Sequence, residues 1–204
     1  MMNSAQTIIL SPLELRVIEE MNKVRTQPRS YLTLLNNWKQ RFSGNQVKLS
    51  QQVFLRTVEG VNAVDEAINF LQSTRPLSPF KLSLGMSQAA RDHVRDQGET
   101  GNIGHIGRDR STPFIRLNRY GNWQITAGEN ITYGVARADE IIMQLIIDDG
   151  VRDRGHRNNI FNSAFQVAGV AFGYHIQYQN MCVITYAGGY KTAAGRRKFS
   201  QGRV

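Results

Sequence analysis

Two histidines and several carboxylates lie beside glycines in the central part of the chain. His105 occurs in the phrase Gly-His-Ile-Gly, and Glu129 follows in Gly-Glu-Asn-Ile. Asp148 and Asp149 then precede His156, which occurs in Gly-His-Arg-Asn-Asn-Ile. Binding and catalytic groups tend to lie on loops held by a rigid scaffold, so this part of the chain is where chemistry is expected. Two neutral imidazoles with oxygen donors suit zinc, copper or nickel, and suit magnesium less well.

The spacing of the two histidines does not form a local metal-binding motif. His105 and His156 are 51 residues apart, whereas a His-Glu-x-x-His motif presents both ligands on one face of a helix. Loop histidines usually bind no metal, so composition alone does not establish a site. Any convergence of the two side chains therefore depends on the fold.

The two aspartates come at the end of a predicted helix. Residues 138–149 carry a wide apolar stripe, which is typical of a helix that packs against a core. Negative charge in the last helical turn opposes the helix dipole, so Asp148 and Asp149 need compensation, which Arg152, Arg154 or a metal could supply. The alternative is that both aspartates are solvated and that Asp149 simply starts the Asp-Gly turn.

Other residues whose side chains could take part in chemistry are predicted to have structural roles. His93 shares one face of a predicted helix with apolar residues, and His175 lies near the end of a predicted strand, so both are predicted to be packed or surface residues. Cys182 is the only cysteine, so an intramolecular disulfide is impossible, and its apolar surroundings predict a small buried side chain. Ser111 lies near the first site histidine, but the chain has no Gly-x-Ser-x-Gly elbow.

Regular elements are predicted on both sides of these groups. The Ser-Pro-Leu-Glu sequence at 11–14 is a capping box with proline at the first helical position, and it predicts a first helix. Two β-rich runs at 167–174 and 181–187 predict a hairpin, and a third strand is predicted at 131–134. Helices combined with a small antiparallel sheet indicate an α+β fold.

The length and composition fit a single domain. A chain of 204 residues suits one core, and 41% hydrophobic with 20% charged residues is ordinary for a soluble globular protein. Residues 36–80 combine a polar, glycine-punctuated loop at 42–50 with an amphipathic helix at 61–71. We therefore predict one domain over 1–190, in which 36–80 is an insertion of helix and loop on the same core.

The two ends of the chain bear on its partners and location. Residues 191–204 hold five of the nine net positive charges and no acid, which predicts a flexible basic tail; no specific nucleic-acid motif accompanies it. No apolar run is long enough for a transmembrane segment. The first ten residues lack a basic region and a long apolar stretch, so either the protein is cytoplasmic or a leader has been removed.

Two glycines and an asparagine next to the candidate residues are predicted to have structural roles. Gly128 and Gly155 are predicted to need either a positive φ or close approach of another group. Asn130 is predicted to hydrogen-bond local backbone and so to hold Glu129 in place.

Two phrases of the sequence together resemble a known family. Ala-Gly-Glu-Asn-Ile at 127–131 and Gly-His-Arg-Asn-Asn-Ile at 155–160, in this order and before a Gly-Val strand, resemble the bacterial branch of the CAP superfamily, the SCP-like or pathogenesis-related-1 domain. The resemblance covers 84–190. It implies an α-β-α sandwich, with a small antiparallel sheet flanked by helices, and an extracellular or cell-envelope location.

The resemblance also implies one cleft that contains the candidate residues. Family members commonly have Trp-x-x-Glu where this chain has Leu-Ile-Ile-Asp, so Asp148 matches best and Asp149 is the alternative. Similar clefts hold divalent ions through a histidine pair, so His105 and His156 would bind zinc, or less readily magnesium. Glu129 and the aspartate would orient the imidazoles rather than bind the ion.

Two classes of function follow from this resemblance. The favoured one is an extracellular binding module whose cleft holds a divalent metal and a small-molecule or lipid ligand. The alternative is a metal-dependent hydrolase, a nuclease or peptidase, in which Glu129 or Asp148 would be the catalytic general base. The sequence leaves the oligomeric state open.

Overall fold

A computed structural model of the chain describes residues 9–49, 51–52 and 54–193. Helices and two sheets together form an α+β fold, as the sequence predicted. The elements are α1 (Pro12–Thr26), a 3-10 helix (Pro28–Tyr31), α2 (Leu32–Lys39), β1 (Phe42–Ser43), β2 (Gln46–Lys48), β3 (Phe54–Arg56), α3 (Val61–Ser73), β4 (Lys81–Leu82), α4 (Leu84–Thr100), α5 (Pro113–Asn118), β5 (Gly121–Tyr133), α6 (Ala138–Ile147), α7 (Gly155–Ile160), β6 (Val167–His175) and β7 (Gln179–Thr192).

The larger sheet has the strand order β4-β6-β7-β5, and all its pairs are antiparallel except β4 with β6. The predicted hairpin is confirmed as β6 and β7, which pair from Val167 opposite Ala187 to His175 opposite Gln179. The strand predicted at 131–134 is the end of β5, which begins at Gly121. β5 is therefore an edge strand of this sheet, and α5, α6 and α7 contact it.

Alternate residues of the central strands face helices on opposite sides of the sheet. Cys182, Ile184 and Tyr186 lie in one hydrophobic cluster with the buried faces of α1, α3 and α6. Met181 and Val183 lie in a second cluster with residues of α4. This alternation follows from the two-residue period of a strand, and it produces the expected sandwich of helices around the sheet.

The first helix is fixed by its capping box and by further hydrogen bonds to the Glu14 carboxylate. The Ser11 amide donates to Glu14 at 2.7 Å, and the Glu14 amide donates to the Ser11 hydroxyl at 3.2 Å, as predicted. Glu14 also accepts from the Phe172 amide and from Arg91, which ties α1 to β6 and α4. Burial acts to raise the pKa of Glu14, but these hydrogen bonds outweigh it and lower the pKa.

Residues 36–80, predicted to be an insertion and called the insertion below, include a three-stranded sheet and the helix α3. The helix predicted at 61–71 is confirmed as α3, and its buried Val64, Ile68 and Leu71 lie in the same hydrophobic cluster as α1 and α6. The loop predicted at 42–50 is wrong in part, because β1 and β2 form there. These strands are two and three residues long, and only Val47 is buried in them, so no alternation marks them in the sequence.

The ends of α4 and β7 are set differently. Helix α4 ends at Thr100 and is capped by Gly101, whose φ of +74° is the left-handed conformation that glycine tolerates. The last strand continues through Lys191 to Thr192, past the predicted start of the tail. The rest of that predicted tail, 194–204, lies outside the described residues. None of the described helices is long and apolar enough to cross a membrane.

Candidate functional site

The first histidine of the site is held by a carboxylate from the edge strand. His105 lies on the loop after α4, and its Nδ1 is 3.0 Å from Oε1 of Glu129 on β5. The glutamate side chain is only 1% exposed, whereas the imidazole is 46% exposed. An ionised carboxylate only accepts hydrogen bonds, so Nδ1 carries the proton and Nε2 of the neutral ring is left as the acceptor.

A buried arginine balances the charge of Glu129. Arg116 of α5 donates to both carboxylate oxygens, at 2.8 and 3.0 Å, and the side chain is 2% exposed. The same guanidinium donates to the backbone carbonyls of His105 and Ser111, at 3.1 and 2.8 Å. Arg116 therefore holds both the acid and the loop that carries the histidine. The sequence analysis missed this residue, because no local motif distinguishes it from other arginines.

The second histidine is held by the aspartate that ends α6. Nδ1 of His156 is 2.6 Å from Oδ1 of Asp148, so Nε2 is again left as the acceptor. Oδ2 of Asp148 accepts from the backbone amides of His156 and Arg157, at 2.9 and 3.3 Å. These amides belong to the first turn of α7, where the helix dipole favours a negative charge.

The compensation expected for the aspartates comes from a different source than predicted. Backbone amides of α7 donate to the Asp148 carboxylate, whereas Arg154 donates to the backbone carbonyl of the same residue. Asp148 also adopts the left-handed conformation, with φ of +55°, which turns the chain sharply at the end of α6. Aspartate is one of the few residues that tolerates this conformation as a single position.

The neighbouring aspartate faces the insertion instead of the histidine. Asp149 accepts from the amides of Val58 and Glu59, at 2.7 and 2.8 Å. Asp148, not Asp149, is therefore the acid in contact with His156. The alternative in which Asp149 takes that place is wrong for this fold.

Four further charged residues join the insertion to the segment after α6. Arg154 donates to Glu59 at 2.6 Å and to Glu66 at 2.6 Å, and Arg157 donates to Glu66 at 2.8 Å. The hydrogen bonds from Arg154 are the main reason that the pKa of each glutamate is lowered to about 2. We call Glu59, Glu66, Asp149, Arg154 and Arg157 the clamp. It fixes the insertion beside the second histidine.

Two asparagines connect the strand of the first pair to the helix of the second. Asn130 donates to the His156 carbonyl at 2.9 Å and to the Tyr186 hydroxyl at 3.1 Å. Asn159 of α7 donates to the Asn130 side-chain oxygen at 2.8 Å. The prediction that Asn130 bonds local backbone is wrong, because its partners lie 26 or more residues away. It aligns α7 with β5.

The two predicted glycine requirements have different outcomes. A Cβ on Gly128 would lie 3.0 Å from the Phe165 ring, which is the close approach that was predicted. Gly155 has no positive φ, and a Cβ there would lie 3.5 Å or more from its nearest neighbour, Asp153. The requirement predicted for Gly155 is therefore wrong.

The other histidines and the cysteine are buried, as predicted. Nε2 of His93 is 2.8 Å from the Gly104 carbonyl, and Nε2 of His175 is 2.9 Å from the Asn102 carbonyl. Both contacts fix the loop that leads to the first site histidine. Cys182 is fully buried, and burial raises the pKa of its thiol well above the usual range, so it is not a reactive nucleophile.

A cavity of about 290 Å³ adjoins the second pair. Thr132 contributes to its wall, and the hydroxyl of this residue is buried without a hydrogen-bond partner in the described part of the chain. Apolar and aromatic residues form more than half of the wall, and several of them belong to the insertion. The other lining residues are Trp38, Phe42, Leu55, Arg56, Thr57, Gly60, Ile131, Tyr133, Gln144, Leu145, Ile147, Asp148, Asp149, Val151 and His156.

The donor chemistry of the pairs limits how a metal ion could be held. Within residues 9–49, 51–52 and 54–193, no group of three or more His, Cys, Asp or Glu side chains could hold a metal. Glu129 and Asp148 already use oxygens to orient the imidazoles. The two Nε2 atoms suit zinc as ligands, but the protein groups alone do not complete a four-coordinate site.

Comparisons with known proteins give partial matches to structures. An outer surface protein from Borrelia burgdorferi has a TM-score of 0.47 and 12% identity, over 71% of this chain and 98% of that one. An extracellular protein containing a SCP domain from Bacillus anthracis strain Ames has a TM-score of 0.43 and 18% identity, over 66% of this chain and 45% of that one.

Sequence comparisons identify a bacterial relative and the family. The uncharacterized protein YkwD of Bacillus subtilis (strain 168) is 28% identical over 109 residues, which is 53% of this chain. The match spans only 40% of the length of that relative. The family model described as the cysteine-rich secretory protein family, CAP, matches residues 18–186. The chain therefore belongs to the CAP family, although it contains a single cysteine.

Proposed function

We propose that the protein is an extracellular binding module in which His105 and His156 bind a divalent metal ion, zinc in preference to magnesium, and the adjoining cavity takes a small-molecule or lipid ligand. The observation that carries the proposal is the state of the two imidazoles. Each has its Nδ1 fixed by a buried carboxylate, so each Nε2 is left as an acceptor. Metal-binding histidines are commonly held in this way by a carboxylate.

The metal would supply an electrophilic centre, while the protein groups keep the two rings in place. Arg116 and the α7 amides donate hydrogen bonds that hold the two carboxylates in place, and each carboxylate accepts from the Nδ1–H of its imidazole. Since the protein offers two imidazoles at most, the remaining coordination positions would be filled by water or by the ligand. An open site of this kind fits reversible binding.

The ligand-binding part of the proposal is based on the cavity beside His156. Its volume of about 290 Å³ lies near the lower end of the usual range for small-molecule sites. The aromatic rings of Trp38 and Phe42 favour an apolar group, and the partly exposed Gln144 side chain offers hydrogen bonds to one polar group on the ligand. A small molecule or one end of a lipid chain meets these conditions.

The same geometry disfavours the hydrolase alternative. A general base must be free to take a proton from a reacting group. Glu129 is engaged by Arg116 and His105, and Asp148 is engaged by an imidazole and two amides.

The extracellular or cell-envelope location is supported by the description of the family as secretory.

A zinc titration tests the metal part of the proposal. Zinc should raise the melting temperature at pH 7 by mass action, and should do so much less at pH 5, because protons compete for the imidazole nitrogens. His105→Ala and His156→Ala should each remove most of this shift. Asp148→Asn should weaken zinc affinity by about 10–100-fold, as is typical for groups that orient a ligand.

The control is His175→Gln, with each shift measured relative to the variant's own metal-free melting temperature. His175 is buried and contacts neither pair, and glutamine keeps a donor for the Asn102 carbonyl, so the loop before His105 stays held. Calorimetry that found equal zinc uptake by the native chain and by the His105→Ala, His156→Ala double variant would refute the metal site. Binding of ligands in the cavity is then measured separately, from quenching of Trp38 fluorescence.

A further inference from the structure

Gly104, the residue before His105, has both its backbone donor and its backbone acceptor held by side chains. Its N–H donates to the Tyr133 hydroxyl at 3.0 Å, and its carbonyl accepts from Gln97 Nε2 at 2.6 Å. His93 Nε2 lies 2.8 Å from the same carbonyl. Gly104 has a φ of +91°, a conformation that glycine tolerates and other residues rarely adopt. Side chains of α4 and β5 therefore hold this residue in one particular conformation.

The contacts among Gly104, Tyr133 and Gln97 form a closed cycle of hydrogen bonds. The Tyr133 hydroxyl donates to Gln97 Oε1 at 2.9 Å, and Nε2 of the same glutamine donates back to Gly104. A hydroxyl carries one proton and can also accept, so Tyr133 donates to the glutamine while it accepts from the glycine. Each group in the cycle thus has one defined role, and the hydroxyl is the member that connects the strand to the loop.

Burial makes this cycle costly to open. Gln97 has no exposed surface, and Tyr133 is partly buried at the end of β5. A buried amide that loses its partner is left with an unsatisfied polar group, which is the expensive way to lose a hydrogen bond. The loop conformation at Gly104 is therefore tied to the Tyr133 hydroxyl.

Strand β5 holds His105 at two points. Glu129 fixes the imidazole through Nδ1, and Tyr133, further along the same strand, fixes the backbone just before the histidine. The imidazole itself is 46% exposed, so few packing contacts keep it in place. A metal ligand that is already in position loses less freedom when the ion binds, so these two contacts favour binding.

We propose that Tyr133, acting with Gln97, is a positioning residue for His105. Its hydroxyl does not contact the ion; it fixes Gly104, and through Gly104 it sets the place of the first imidazole. This inference rests on the proposed function, because the role it assigns is to arrange one of the two metal ligands.

The test compares Tyr133→Phe with Tyr178→Phe in the full chain. Tyr133→Phe keeps the aromatic ring and removes only the hydroxyl, so the cycle opens. Tyr178→Phe is the matched control: its ring centroid lies 5.2 Å from that of Tyr133, but its hydroxyl has no hydrogen bond in the described part of the chain. Calorimetric titration at pH 7 should show zinc affinity weakened by roughly three- to tenfold in Tyr133→Phe, the range for one neutral hydrogen bond, and unchanged in Tyr178→Phe.

An NMR measurement on the metal-free chain separates positioning from a general loss of stability. The Cε1–H signal of His105 should shift in Tyr133→Phe, whereas that of His156 should not, because Asp148 holds His156 independently of the cycle. A uniform loss of stability would not move one imidazole signal and spare the other.

Weaker zinc binding and a shifted His105 signal, both confined to Tyr133→Phe, support the proposal. If the native chain binds zinc and the two phenylalanine variants bind it equally well, the positioning role is overturned and the metal site stands. If the native chain binds no zinc, the metal site fails and the NMR signal alone decides. A shift confined to Tyr133→Phe then upholds the positioning of His105, and an unchanged signal overturns it.

Discussion

The two histidine–carboxylate pairs hold the same chemical groups in the same way, but their buried charges are stabilised by different means. Glu129 is balanced by one charged side chain, Arg116, from a neighbouring helix. Asp148 is balanced by backbone amides at the start of α7. A backbone amide remains whatever side chain is substituted, whereas a counter-ion is lost with one substitution. The first pair should therefore be the more sensitive of the two to mutation.

The largest expected effect is that of Arg116→Gln. This change leaves the Glu129 carboxylate, 1% exposed, without its counter-ion and releases the His105 carbonyl. Removal of one partner of a buried ion pair typically costs about 3–5 kcal/mol, and we expect a loss of that size in the free energy of unfolding. Urea unfolding at pH 7 measures it.

The matched control is Arg119→Gln on the same segment. Its guanidinium is 35% exposed and its ion pairs are open to solvent, so the change in unfolding free energy should be far smaller. If both arginine variants lost equal stability, the distinction between a buried counter-ion and a surface pair would fail here.

A smaller loss is expected for Asp148→Asn at the second pair. Asparagine tolerates the left-handed conformation, and its one side-chain oxygen can still accept from the amides of α7, so the charge and the acceptor for Nδ1–H of His156 are removed. We expect about 1–2 kcal/mol, the range for caps and for charged hydrogen bonds. The same urea experiment compares it directly with Arg116→Gln, and a larger loss for the aspartate variant would reverse the ranking of the two pairs.

The comparison also separates what the sequence predicts from what it leaves open. Periodicity located α3 and the β6–β7 hairpin, because the apolar residues recur with the period of each element. The choice between Asp148 and Asp149 could not be made locally, since both follow the same helix. It is decided by the left-handed turn at Asp148 and by contacts of Asp149 with a segment about 90 residues away.

Arg116 and the clamp were missed for the same physical reason. Ion pairs between distant segments leave no spacing pattern, because either partner is an ordinary surface-type residue until the fold buries it. Glu66 and Arg154, for example, are separated by 88 positions in the chain. The strands of the insertion were missed because they are too short to show alternation.

The clamp gives the region around the second pair an acid dependence. Glu59 and Glu66 have a pKa of about 2, below the ordinary value of 4.5, chiefly through hydrogen bonds from Arg154. Their contribution to stability is therefore complete above pH 4.5 and is lost as the pH falls toward 2. Both side chains are partly exposed, so screening limits their joint contribution to about 1–2 kcal/mol.

The double variant Glu59→Gln, Glu66→Gln should be less stable at pH 7 and should show a weaker fall in stability between pH 4.5 and 2. Unfolding free energies across this range measure both effects. Glu19→Gln, at an exposed position of α1, is the control and should keep the native pH profile. An unchanged pH profile in the double variant would show that the clamp is not the source of the acid dependence.

The smallest expected effects come from the glycines beside the two pairs, and they have opposite signs. Gly155→Ala, next to His156, adds a Cβ in open space at the start of α7, so it should stabilise the protein by about 0.5 kcal/mol through the unfolded state. Gly128→Ala, next to Glu129, brings a Cβ to 3.0 Å from the Phe165 ring, which must shift, so a loss of about 1 kcal/mol is expected. Thermal unfolding of the two variants measures the difference. Because β5 is tightly packed at Gly128 while α7 has room at Gly155, equal shifts of the same sign would contradict this account of the two sides of the site.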